Sequence, residues 1–197
     1  MQQRSGNWRR WPMMFGVVGW ATAASAVQLY VGLPTGRSQA FGRDGSGWVR
    51  VNRADLPDVG SGALPGLGDL DGDGDLDAVV GNTDGQLLAF ENTASTAVPT
   101  WARRAEWDPP LDVEGTVAPV LVDLNGDGVP DLLVGTATGD ILGFQHARSG
   151  ESWSRQTAWD HTGVGSDPRP ACGDLDGDGR TDLLVGRRDG TFAAFAG

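Results

Sequence analysis

The sequence predicts an all-β protein built from repeated units of four antiparallel strands. Three observations carry that expectation: an acidic segment recurs at a near-constant interval, a short apolar run follows each copy, and a glycine and a phenylalanine keep fixed distances from each copy. A constant internal period of about fifty residues is the signature of stacked supersecondary units, each burying its faces against its neighbours. With 31 glycines among 197 residues and 39% apolar content, the chain reads as turn-rich and globular rather than disordered.

The acidic segment comes first in each unit. "DLDGDGDLDAVVG" (69–81), "DLNGDGVPDLLVG" (from Asp123) and "DLDGDGRTDLLVG" (from Asp174) are spaced by 54 and 51 residues. The first places five carboxylates in nine residues, a cluster that repels itself unless a cation neutralises it. Oxygen ligands at alternating positions with glycines between them suit calcium, which gathers about six to eight oxygens around a sharply turning backbone. In the first loop Asp69, Asp71, Asp73 and Asp77 hold positions one, three, five and nine. Gly72 and Gly74 supply the turn, and Asp75 at position seven offers its backbone carbonyl. Position twelve is Val80, Val134 or Val185, where a helix–loop–helix calcium site needs a bidentate Glu. The loop therefore joins strands.

The strands follow in order. Pro65, Pro119 and Pro170 stand four residues before each loop, in the strand that enters it. The runs "DAVVG", "DLLVG" and "DLLVG" that leave it are continuously apolar, as expected of strands buried on both faces. Gly85, Gly139 and Gly190, each after Asp or Thr, mark hairpin turns into a third strand that carries Phe90, Phe144 and Phe195. A fourth strand is read from Trp-x-Arg with Asp seven residues after the Trp, which occurs at Trp101, Arg103 and Asp108, and at Trp153, Arg155 and Asp160. The same spacing at Trp48, Arg50 and Asp55 reads as an orphan fourth strand over 47–55. The third unit, which ends two residues after Phe195, has none of its own.

With this pattern the chain resembles the integrin-alpha-like FG-GAP or VCBS repeat proteins, over about residues 47 to 197 and most specifically at the loops. The resemblance implies β-propeller blades of four antiparallel strands, about three of them, forming a partial propeller or one completed between molecules. It also implies about three calcium ions, one per loop. Its ligand pattern carries over to Asp69, Asp71, Asp73, Asp75 and Asp77; to Asp123, Asn125, Asp127, Val129 and Asp131; and to Asp174, Asp176, Asp178, Arg180 and Asp182, with position seven acting through its carbonyl. Asn125 replaces a charged oxygen by a neutral one, so the second loop is expected to bind more weakly. The literal FG-GAP tripeptides are absent from the repeats.

Arg4, Arg9 and Arg10, an uncharged stretch and Ala24-Ser25-Ala26 have the layout of a secretory signal peptide over 1–26. The lack of charge between Arg10 and Arg37 also suits a membrane anchor. Residues 27–46 read as a linker, and the repeat region as 47–197, with units at about 56–108, 109–160 and 161–197. The net charge of −11 argues against nucleic acid as a partner. One cysteine, Cys172, allows no internal disulfide and is expected to pack in the core. The two histidines, His146 and His161, read as surface residues between strands, and no nucleophile-and-base pattern is present.

The tryptophans of the fourth strands, Trp48, Trp101, Trp107, Trp153 and Trp159, are expected to pack between units; exposed, they would stack on sugar rings. The expected function is a secreted, periplasmic or cell-surface calcium-binding module that is not an enzyme and serves binding, adhesion or assembly. A protein or glycan would be its ligand. Self-association by outer-strand exchange is a further expectation, and a membrane is involved only if the amino-terminal segment is retained. The alternatives are a lectin-like propeller and a piece of a larger extracellular protein with a catalytic domain elsewhere.

Overall fold

The computed structural model describes residues 15–16, 29–44, 47–96, 98–147 and 152–197. It is all-β, with four antiparallel sheets in chain order. The first holds β1 (Phe15–Gly16), β2 (Leu29–Gly32), β3 (Ser38–Asp44) and β4 (Gly47–Arg50). The second holds β5 (Leu64–Gly68), β6 (Asp77–Gly81), β7 (Leu87–Asn92) and β8 (Trp101–Arg103). The third repeats it with β9 (Val117–Val122), β10 (Asp131–Thr136), β11 (Ile141–His146) and β12 (Trp153–Arg155). The fourth holds β13 (Arg169–Gly173), β14 (Asp182–Gly186) and β15 (Phe192–Phe195), and no outer strand pairs with it among the described residues.

Two expectations are corrected here. The segment expected as a linker over 27–46 carries β2 and β3, and the strand at Trp48 is no orphan, because it pairs with β3 in the register Phe41↔Arg50 and Arg43↔Trp48. The physical reason lies in spacing. Gly32, Gly36 and Phe41 stand apart by the same four and nine residues as Gly81, Gly85 and Phe90, and Gly36 turns the hairpin at φ +80° as Gly85 does at +83°. The other reading at this end, a signal peptide or anchor over 1–26, falls on residues outside the described ones except for Phe15–Gly16, which pair with Gly32 and Val31.

The second strand of each sheet is the spine of the packing. All five residues of β6 and all six of β10 are buried. Side chains alternate across a strand, so one run serves two neighbours. Ala78 and Val80 pack toward the first sheet with Tyr30, Ala40 and Phe90, while Val79 faces the third with Leu132, Val134 and Phe144. Leu133 then faces the fourth sheet with Leu183 and Val185. Cys172 is half-buried in that last junction, where burial pushes its thiol up to about 12.

The Trp-x-Arg…Asp pattern is a latch that fastens each fourth strand. In the third sheet Arg155 pairs with Asp160 at 2.6 Å, donates to the Gly143 carbonyl at 2.9 Å and lies 5.1 Å over the Phe144 ring. Asp160 in turn accepts the Gly143 amide at 3.0 Å. Although burial opposes it, the Arg155 guanidinium and that amide hold the Asp160 carboxyl below its usual range. The second sheet repeats this with Arg103, Asp108, Ala89 and Phe90; in the first, Arg50 pairs with Asp55 and lies over Phe41, and Asp55 accepts the Ala40 amide.

The tryptophan two residues before each Arg reaches backward. Trp101 Nε1 donates to the Ala54 carbonyl at 3.0 Å, and Trp153 Nε1 to the Trp107 carbonyl at 2.8 Å, each in a 3₁₀ turn of the preceding unit. Trp101, Trp107, Trp153 and Trp159 all pack in the junctions, as expected; Trp48 departs from that expectation and is 54% exposed. His146 departs from expectation, because it ends β11 facing inward, fully buried with its ring 4.3 Å from that of Trp153. The connections before the fourth strands vary: two residues lie between β3 and β4, eight between β7 and β8, and six between β11 and β12.

Candidate metal centre

Each acidic loop joins the first two strands of its sheet, β5 to β6, β9 to β10 and β13 to β14. Its path is fixed by short side-chain to backbone bonds, which asparagine and aspartate make readily in turns. Position one takes two glycine amides: Asp69 accepts Gly72 N–H at 2.8 Å and Gly74 N–H at 3.1 Å, and Asp123 and Asp174 do the same with Gly126 and Gly128 and with Gly177 and Gly179. Positions three and five each accept the amide two residues on, as Asp71 does from Asp73 and Asp73 from Asp75. Gly72 and Gly74 sit at φ +82° and +94°, a region open to glycine at little cost.

Position nine ties the loop to the core. Asp77 is buried, with one carboxylate oxygen accepting Leu70 N–H at 2.8 Å and the other Asn92 N–H at 2.9 Å. Asp131 does this with Leu124 and His146, and Asp182 with Leu175 and Gly197. Asx residues at this place couple the loop to the end of the third strand. Carboxylate oxygens of Asp69, Asp71 and Asp77 lie within 4.8 Å of one another, as do those of Asp174, Asp176 and Asp182. Asp73 and Asp178, at position five, lie outside these trios, and Asp75, Val129 and Arg180 at position seven use their amides within the loop. In the second loop Asn125 replaces the carboxylate of position three and donates to Asp127 at 2.9 Å.

The electrostatics ask for a counter-charge. Burial pushes the Asp77 carboxyl up to about 7; the Asn92 and Leu70 amides work against this, and the charges of Asp71 and Asp73 add to it. Burial likewise raises Asp71 and Asp131, each also facing like charges within its own loop. Asp182 opens the middle strand of the fourth sheet and is nearly as inaccessible as Asp77, yet the Gly197 and Leu175 amides outweigh burial and hold it below the usual range. Three converging carboxylates, one of them buried, form an all-oxygen donor set that fits a hard divalent cation.

Fold and loops together define a class: an array of antiparallel sheets of three or four strands, the last three of them each folded around an acidic turn. The FG-GAP-like repeat model matches residues 69–134 and 123–185, each match beginning at position one of a loop and running into the apolar strand after the next. These matches span more than half of the chain, which belongs to the FG-GAP-like repeat family. No curated protein matches it. Among the described residues no helix is long and apolar enough to cross a membrane.

The first sheet was the part that reasoning from the acidic loops missed. Its signal, the four- and nine-residue spacing of Gly32, Gly36 and Phe41, was available without any acid.

Proposed function

We propose that the chain is a secreted or cell-surface module that binds calcium in its loops and serves binding, adhesion or assembly without catalysing a reaction. The observation that carries the reading is the trio Asp69, Asp71 and Asp77, recurring as Asp174, Asp176 and Asp182, with a buried member at each. Bound there, calcium would neutralise mutually repelling carboxylates and cross-link the loop to its sheet. Asp69 and Asp71 hold the turn, and Asp77 connects it to β7 through the Asn92 amide. Asn125, committed to Asp127, supports weaker binding at the second loop.

The family supports an extracellular binding role in general terms, and the tryptophans favour architecture over sugar stacking, since four of the five are spent on junctions. His146 and His161 each lie against an aromatic ring, of Trp153 and Phe195 respectively. Titration of calcium into chelator-treated protein tests the reading. Binding with a dissociation constant of roughly 10⁻⁴ to 10⁻³ M is expected, together with a rise in melting temperature that Asp71→Ala or Asp176→Ala reduces in part. Identical unfolding in calcium and in chelator would overturn it.

A further inference from the structure

The three acidic loops differ at one chemically reactive place. Position three is Asp71 in the first loop and Asp176 in the third but Asn125 in the second, and Gly126 follows it. A side-chain amide next to glycine is open to attack by the glycine's backbone nitrogen, because a hydrogen in place of a side chain neither blocks the approach nor restricts the backbone. Asn125–Gly126 is the only such pair in the sequence, since the other asparagines precede Trp8, Arg53, Thr83 and Thr93. Asn82 and Asn92 are also buried, whereas Asn125 and Gly126 are exposed, and a Cβ built on Gly126 meets nothing within 4 Å.

Three hydrogen bonds hold the pair away from reaction. The Gly126 N–H, which carries the nucleophile, donates to Asp123 Oδ1 at 2.7 Å. The side-chain carbonyl oxygen of Asn125 accepts Asp127 N–H at 2.8 Å, and Nδ2, the leaving group, donates to Asp127 Oδ2 at 2.9 Å. Attack needs the Gly126 nitrogen turned onto Asn125 Cγ, so these bonds must break and the loop must open locally first. All three lie within the exposed turn, and its opening need not disturb the pairing of β9 with β10.

We propose that Asn125 is a site of spontaneous deamidation, gated by closure of the second loop, and that the reaction supplies the carboxylate which that loop lacks at position three. The Gly126 nitrogen bonds to Asn125 Cγ, the Cγ–Nδ2 bond breaks, and Nδ2 leaves as ammonia with the proton that Gly126 gives up. Water then opens the cyclic imide. Attack at Cγ returns the ordinary backbone with an aspartate side chain; attack at the backbone carbonyl carbon routes the chain through Cγ and adds a methylene to it. In both cases amide plus water becomes carboxylate plus ammonia. The first product restores the run Asp-Leu-Asp-Gly-Asp-Gly found at 69–74 and 174–179, and it exchanges the Nδ2 donor facing Asp127 for an oxygen. The second lengthens the backbone of the turn whose glycine amides reach Asp123, which keeps the loop from closing. A gain in calcium binding by the first product rests on reading the loops as calcium sites; the reaction and its gate do not.

The test ages the full-length protein in mildly alkaline buffer and reads conversion by peptide mapping, as a gain of one mass unit on the fragment that carries residue 125, with the two products separated by chromatography. Rates are compared in concentrated guanidinium chloride, in native buffer with chelator and in native buffer with calcium. Native conversion in chelator is expected to be about tenfold or more slower than in denaturant, and slower again in calcium, which stabilises the closed loop. Asp123→Ala, which removes the acceptor of the Gly126 and Gly128 amides, should bring the native rate toward the denatured one. Gly126→Ala should slow the reaction even in denaturant, by restricting the backbone and obstructing the attack. Native conversion as fast as in denaturant, or none in native Asp123→Ala protein while the denatured chain reacts to completion, would overturn the proposal. Equal native rates with and without calcium, both below the denatured rate, would uphold the gated site and count against calcium in this loop.

Discussion

Asp77 has both carboxylate oxygens occupied by backbone amides and still lies close to two like charges, so its protonation and the occupancy of its loop are linked. Its ordinary value of 3.8 rises to about 7 in the folded chain without metal. A raised carboxyl favours the folded state where it is protonated. The contribution is therefore complete below the ordinary value and is lost as pH rises to about 7, with an amplitude on the order of a few kcal/mol. In chelator, thermal melts from about pH 4 to pH 8 should show wild type losing stability relative to Asp77→Asn, which cannot titrate. In calcium the slope should reverse, because the cation binds the ionised form and competes better as protons leave. Parallel curves for the two proteins in chelator would refute this. At this scale the sequence was most legible: carboxylates at alternating positions with glycines between them state a chemical need in the residue types themselves. The role of position nine was not legible, since only the fold shows that Asp77, Asp131 and Asp182 reach the amide at the end of the third strand or just beyond it.

A glycine at or one residue before the end of the second strand governs how closely the next sheet approaches at Gly81 and Gly135. A Cβ added at Gly81 would meet the Val117 carbonyl oxygen at 2.1 Å, and one at Gly135 the Pro168 carbonyl oxygen at 2.0 Å; at Gly186 the nearest atom is the Arg169 carbonyl oxygen at 3.9 Å. Close backbone approach is thus the reason for the Val-Gly ending of the apolar runs. Gly81→Ala and Gly135→Ala should each destabilise by about 1–3 kcal/mol through forced separation of the sheets, whereas Gly186→Ala should be within about 0.5 kcal/mol of wild type. Chemical denaturation of the three variants checks the ranking, and equal losses at all three would contradict it. Strand order was readable from these elements because each is marked by local chemistry: a proline, an apolar run, a hairpin glycine, a Trp-x-Arg pair. The first sheet escaped because its second and third strands follow no acidic loop, and the latch pattern could be seen without its purpose. His146 escaped for a related reason: a polar residue at a strand end reads as surface until the alternation that turns it toward Trp153 is known.

Along the whole array, stability is shared between junctions rather than held in a single core. The clusters between the first and second, second and third, and third and fourth sheets are separate sets of residues, joined through strands that contribute to both sides. Such arrays fray from their ends, and amide exchange reports this directly. Amides of β6 and β10 should exchange slowest and those of β15 fastest, where Phe192 is 73% exposed; Leu175, in the loop of the same sheet, is 57% exposed. Leu132→Ala, at a fully buried site in the middle junction, should cost about 2–5 kcal/mol and speed exchange in both adjoining sheets. Uniform protection from β2 to β15 would argue against this division. The connections before the fourth strands, of two, eight and six residues, vary while the spacing from hairpin glycine to phenylalanine does not. The outer rim is therefore where length is free. A fluorophore, an epitope or a foreign binding loop spliced between Ser95 and Thr96, which are exposed, would be carried outward while Val98, further along the same connection, keeps its packing against the first junction.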